Sequence, residues 1–375
     1  MSTTLAQRLR AAALTEQPFA QARTLPGFVH HDRELFDREL TTIFQSWFCV
    51  GHVDGLRRPG DARVVELGNE SVILTCDPHG KLNAFYNVCR HRGTRLLPPG
   101  ESTCQHIVCP YHAWRYSTAG ELTRAPGMPS DFRLDAHGLK PVLHAQIHGF
   151  VFVCLNDDAG DFEQRFADFP DLGHLALNTL ARGEQRDYTV SANWKLIGQN
   201  FNECYHCPGA HPQLHRLSRE ADLPGFDHRG VHFTGGPMAI EAPHQSLTLD
   251  GTTTRPLLPG TDPSAARLVY YFHLFPNLLL SVAPDYVMAH YLFPLTPHRT
   301  HVQTEWLFDR TVRDDTSFDG GDAVALWEKT NQQDFALCEN AHAGLASSGH
   351  EPGPYHPLER CVYDFDRWYL GAVQG

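Results

Sequence analysis

Two short stretches of the chain bring thiols and imidazoles together. Cys89-x-His91 and Cys109-x2-His112 are separated by 17 residues, and each stretch offers one thiolate and one imidazole. Two irons bridged by sulfide need two protein ligands each, which this set supplies with sulfur on one iron and nitrogen on the other. Neutral imidazole in place of thiolate removes negative charge, so such a cluster accepts an electron readily. A single zinc ion held by the same four residues is the alternative. Zinc sites usually group Cys with Cys and His with His, whereas here each stretch carries one of each. Cys104-x-His106 repeats the first spacing, but it leads into the apolar Ile107-Val108 without a glycine turn and reads as structural.

A second dense signal runs from Asn193 to His211. Asn193 is a natural helix N-cap and Pro208-Gly209 a helix breaker. A helix over residues 194–204 is predicted to carry Gln199, Glu203 and His206 along one face, with His211 turned back past the break. Two neutral imidazoles converging on one point suit ferrous iron. A third ligand is expected from a helix over residues 322–345, where Asp334 stands among Trp327, Leu337, Cys338 and Ala341, with Thr330 and Asn331 nearby. A carboxylate on an apolar face is costly unless a cation satisfies it. His206, His211 and Asp334 would then form a facial triad on mononuclear Fe(II), leaving positions for O2 and a substrate.

The elements that must hold these groups read as α+β, with a small antiparallel β domain and a larger domain of helices packed on an antiparallel sheet. Residues 1–45 form a helical lead-in assigned to the larger domain, 46–156 the β domain and 157–375 the rest. Short alternating runs at 63–67, 71–75, 82–88 and 149–155 are strands separated by turns such as Gly68-Asn69. In the larger domain, strands are expected at 231–238, 268–274, 278–282, 287–294 and 301–309. The 31 Lys and Arg against 43 Asp and Glu give a net charge of −12, which disfavours a nucleic-acid or anionic-membrane partner. No apolar run reaches the roughly 20 residues of a membrane span. Arg8 and Arg10 are followed by no apolar core, and the protein is expected in the cytoplasm. Ten Cys among 375 residues are too sparse for a disulfide scaffold, so Cys beside His suggests metal first.

With these residues in view, CRHRGTRL…CPYHAW resembles the Rieske motif of the Rieske-type non-haem iron oxygenases. NWKLIGQNFNECYHCPGAHP and NQQDFALCE are similar to the segments that bring the mononuclear iron ligands in the α subunits of the aromatic-ring-hydroxylating oxygenases. The likeness implies a [2Fe-2S] cluster on Cys89, His91, Cys109 and His112, and Fe(II) on His206, His211 and Asp334. The family commonly has Gly where this chain has Ala113, a departure expected to matter little. Trp114 is expected to pack near the cluster. Many members have Asp where this chain has Glu203, and Glu is similar to the carnitine and betaine branch. The resemblance gives Glu203 a catalytic bridging role, accepting hydrogen bonds from His112 of a neighbouring subunit and from His206 or His211, and so implies a homotrimer.

The chain has no plant-type Cys-x4-Cys-x2-Cys run and no GxGxxG after a strand, so electrons are expected from a separate NAD(P)H-dependent reductase or ferredoxin. The resulting expectation is an O2-dependent mono- or dioxygenase acting on a small molecule. N-demethylation or hydroxylation of a betaine-like quaternary amine is favoured, with Phe233, Tyr270, Phe272, Phe275, Tyr286, Tyr291 and Phe293 compatible with an aromatic cage. Ring hydroxylation or O-demethylation of an aromatic acid is the alternative. A reading from another class is an electron carrier with a ligand-binding domain and no mononuclear iron.

Overall fold

The computed structural model describes residues 4–219 and 228–374. It divides into two compact units, Phe44–Gly160 and the combination of Met1–Ile43 with Asp161–Gly375.

The unit Phe44–Gly160 is built of three small antiparallel sheets. The four-stranded sheet orders Leu82–Tyr86, Glu70–Cys76, Asp61–Leu67 and Gly100–Thr103. Its central hairpin pairs Leu67 with Glu70 across Gly68-Asn69, and Gly68 takes φ 62°, the left-handed conformation that a two-residue hairpin loop requires. A second sheet joins Ile107–Val108, Arg115–Tyr116 and Leu122–Arg124. Val64, Ile73, Ile107, Trp114 and Tyr116 form one buried cluster that also takes in Cys89 and Cys109. The two cysteines are thus fixed by the core of this unit.

The larger unit carries an eight-stranded antiparallel sheet among the described residues. Its central strands, Leu268–Leu274 and Leu278–Val282, fall where the periodicity places them. Neighbouring strands run longer or start later, at Phe233–Ile240, Val287–Thr296 and Arg299–Phe308. The edge strand Ala181–Val190 has no counterpart in the sequence reading. Its sequence, ARGEQRDYTV, is charged, as solvent-facing sheet edges often are, and lacks an apolar alternation.

The helix Gly321–Leu345 lies against this sheet through two apolar patches, one including Leu326 and Trp327 and the other Cys338. Asp334 stands between them. Leu337 and Ala341, expected around Asp334, face outward and are exposed. A further helix, Arg360–Gln374, was also not anticipated.

The helix Arg33–Thr42 joins this unit through a buried charge rather than through apolar spacing alone. Glu39 is fully buried and accepts from Lys195 Nζ at 2.6 Å, Tyr369 Oη at 2.7 Å and Trp194 Nε1 at 2.9 Å. Three donors satisfy the carboxylate and one supplies its countercharge, the condition under which a buried ion pair is tolerated. The contact anchors the start of the helix Trp194–Phe201, just upstream of His206.

Candidate active site

In the smaller unit, the loops at Cys89 and Cys109 share one backbone design. Cys89 N–H donates to Thr94 O and Gly93 N–H to Cys89 O; Cys109 N–H donates to Trp114 O and Ala113 N–H to Cys109 O. The fifth residue of each loop is left-handed, Gly93 at φ 73° and Ala113 at φ 56°. The alanine is therefore not the neutral departure expected from sequence, because a Cβ in this conformation costs about 1–2 kcal/mol.

Both cysteines are buried and free of disulfides, while His91 and His112 are exposed with ring centroids 4.7 Å apart. Thiolates inside and imidazoles outside suit a cluster whose nitrogen-bound iron faces a donor or acceptor of electrons. Trp114 stacks on His91 at 4.9 Å and 9°. Tyr116 Oη accepts from Arg90 N–H at 3.0 Å, which leaves its proton for Cys89 Sγ at 3.4 Å. The sequence reading did not single out Tyr116. A hydrogen bond to a ligating sulfur stabilises the reduced cluster. Cys104 and His106 lie outside these two loops, with Cys104 half-buried.

In the larger unit, the helix from Trp194 ends at Phe201, and Gln199, Glu203 and His206 do not share a helical face. Gln199 turns to Asp366 instead, donating through Nε2 at 2.7 Å. Beyond Asn202 the Glu203 carboxylate accepts the backbone N–H groups of Tyr205 and His206, offering them a partner that competes with helix continuation. A Cys204–Cys207 disulfide closes the same turn, in a chain whose cysteines were expected unpaired. The short helix Cys207–Ala210 then delivers His211.

This turn brings His206 and His211 to Asp334, which comes from the long helix. His211 Nε2 lies 2.8 Å from Asp334 Oδ1, the two Nε2 atoms are 3.1 Å apart, and His206 Nε2 is 3.2 Å from the same oxygen. The outer nitrogens are held as well. His206 Nδ1 donates to Glu203 Oε1 at 2.6 Å and His211 Nδ1 to Gln333 Oε1 at 2.8 Å. With Nδ1 as donor, each neutral ring turns its Nε2 lone pair inward, so three acceptors converge and call for a cation. Two imidazoles and one carboxylate are the donor set that suits a ferrous ion. Burial opposes a charge on His206, but Asp334 and Glu203 outweigh it and raise its pKa to about 10. Asp334 is driven the other way; burial would raise its pKa, but the two imidazoles hold it below the usual carboxylate range.

Glu203 thus meets His206 and not His211, whose support comes from Gln333, a residue the sequence reading missed although it adjoins Asp334. Beside the triad lies a cavity of about 90 Å³ lined in part by Phe201, Met238, Tyr271, His290, Trp327 and Phe335. None of the seven aromatics expected to form a cage lines it. Alternation along Leu268–Leu274 turns Tyr271 toward the cavity, whereas Tyr270 and Phe272 stack on each other at 6.3 Å on the opposite face. Phe233, Phe275, Tyr286 and Tyr291 are core residues, and Phe293 packs near His301.

Residues 46–153 match the Rieske [2Fe-2S] domain and residues 177–375 the ring hydroxylating alpha subunit (catalytic domain). The glycine betaine monooxygenase oxygenase subunit of Chromohalobacter salexigens is 31% identical, the alignment covering 97% of this chain and 92% of that protein. The chloroplastic choline monooxygenase of Arabidopsis thaliana is 26% identical over 93% of this chain and 82% of its own. Among solved structures, the quaternary ammonium Rieske monooxygenase CntA in complex with gamma-butyrobetaine superposes with a TM-score of 0.76 at 23% identity, covering 97% of this chain and 99% of that one.

Proposed function

The chain belongs to the Rieske-type ring-hydroxylating oxygenase α subunits, non-haem iron oxygenases with a [2Fe-2S] cluster and a mononuclear iron, and from that premise we propose that it hydroxylates an N-methyl group of a small quaternary amine. The observation that carries the substrate class is the cavity. Its volume of about 90 Å³ is small and suits a compact substrate. Phe201, Tyr271 and Trp327 line it, and aromatic rings are the side chains a quaternary ammonium group prefers. Relatives named for glycine betaine and choline agree with this reading.

Cys89, His91, Cys109 and His112 hold the cluster in this reading, and His206, His211 and Asp334 hold the iron. Iron bound there would supply O2 activation. Glu203 and Gln333 keep both imidazoles oriented with Nδ1 protonated, so that each Nε2 is available as a ligand. The apolar walls keep water from the reacting methyl group. The reaction consumes O2, two electrons and two protons; one oxygen enters the methyl C–H bond and the other leaves as water. The resulting N-hydroxymethyl ammonium gives up its hydroxyl proton to solvent as its C–N bond breaks, releasing formaldehyde and the tertiary dimethylamino compound. A separate reductase or ferredoxin supplies the electrons. In a homotrimer, Glu203 would also accept a hydrogen bond from His112 of the partner subunit and link the two metal centres. Glu203→Gln should then retain both metals while consumption of reductant separates from product formation.

The decisive experiment supplies the reconstituted oxygenase with a generic reductase and follows O2 uptake and formaldehyde with glycine betaine, carnitine, choline and aromatic acids in turn. Stoichiometric formaldehyde from one of the quaternary amines is expected. Turnover confined to the aromatic acids would overturn the substrate class.

A further inference from the structure

Three histidines far apart in sequence meet in the larger unit, away from the iron triad. His31 follows the helical turn Gly27–His30, His298 sits in the turn between Val287–Thr296 and Arg299–Phe308, and His342 lies in the last turn of Gly321–Leu345. One nitrogen from each ring lies within 4.8 Å of the other two. His298 Nδ1 and His342 Nε2 are 3.1 Å apart, and the rings of His31 and His342 are 4.2 Å apart. The cluster is graded outward: His342 is buried, His31 intermediate and His298 exposed.

We propose that His31, His298 and His342 form a second metal site, which takes a borderline divalent cation of the zinc type on three imidazoles with solvent completing the shell. Neutral imidazole is the nitrogen ligand such cations prefer, and three protein ligands with one open position is an established zinc arrangement. The cluster has unmet hydrogen-bonding capacity, since His31 Nε2 is buried without a hydrogen-bond partner while His342 Nε2 faces the exposed His298 ring. An unpaired buried nitrogen is costly, and turning a ring lone pair onto a cation removes part of that cost. The scaffold is fixed before any ion arrives. The buried Asn193 side chain donates to His30 O at 3.1 Å and to Pro297 O at 2.9 Å, tying the backbone beside His31 to the backbone beside His298. A cation here would clasp the amino-terminal segment and a sheet turn to the helix that carries Asp334, and so stabilise that helix.

The test equilibrates the iron-loaded oxygenase with zinc chloride, removes free ion by gel filtration, and counts zinc and iron per chain by mass spectrometry beside a thermal melt. Wild type should retain one zinc per chain with its iron unchanged and melt roughly 3–5 °C higher when zinc exceeds its Kd about a hundredfold. His298→Ala removes an exposed ring with little demand on folding; it should bind zinc at least roughly tenfold more weakly and lose the melting shift. No retained zinc in wild type, equal retention by His298→Ala, or zinc gained in proportion to iron lost would each overturn the proposal.

Discussion

The loops at Cys89 and Cys109 and the turn that presents His206 and His211 solve opposite problems. The loop candidates are local: each Cys and His pair rides on a five-residue loop closed by its own backbone, and the imidazoles face outward. The triad is composite, because Asp334 comes from a different helix and is held between apolar patches. A centre that passes electrons needs an exposed edge, whereas one that activates O2 has to exclude water. The difference teaches that damage should spread differently. A loop lesion should stay in its loop, while the triad should depend on distant packing.

The largest test of this contrast is Asp334→Ala. Iron should fall from about three to about two per chain, the Rieske EPR signal should persist, and turnover should drop at least roughly 1,000-fold. Loss of both centres would break the separation. Glu39→Ala tests the distant support. It leaves Lys195 buried without its carboxylate and should cost about 3–5 kcal/mol in a denaturant titration, with the larger unit unfolding first.

Asp366 sharpens the same point through pH. Burial raises its pKa from 3.8 to about 7 despite donors from Tyr355 and Gln199. The folded chain therefore keeps a proton that the unfolded chain has released between about pH 4 and 7. Stability is fullest below that window and falls as pH rises through it. Asp366→Asn should flatten the slope in melts recorded across those pH values, an effect of about 2–4 kcal/mol end to end. The smallest expected effect is in the loop. Ala113→Gly relieves the left-handed alanine and should stabilise the smaller unit by about 1 kcal/mol, less some unfolded-state entropy, with the mononuclear iron content unchanged.

The contrast also decides what could be read without coordinates. Cys89, His91, Cys109 and His112 were legible because local spacing is the site's own geometry. Asp334 was singled out for another reason, as a carboxylate beside apolar helix residues, of which Trp327 and Cys338 are buried while Leu337 and Ala341 are exposed. The aromatic wall was not legible. Tyr270, Tyr271 and Phe272 are chemically alike, and only the register of their strand with its neighbours sends Tyr271 inward. The end of the helix at Phe201 was hidden too, since it depends on Glu203 capturing two backbone amides.

The sequence by itself therefore determined the candidate residues, their grouping into two sets and the α+β layout, because spacing along a chain constrains what lies within a few residues. The tertiary structure alone decided the partners of Glu203 and His211, the Glu39 anchor and the meeting of His31, His298 and His342. Those contacts join residues dozens to hundreds of positions apart or turn on the exact end of a helix, and their cost or gain exists only once the apolar layers have closed around them.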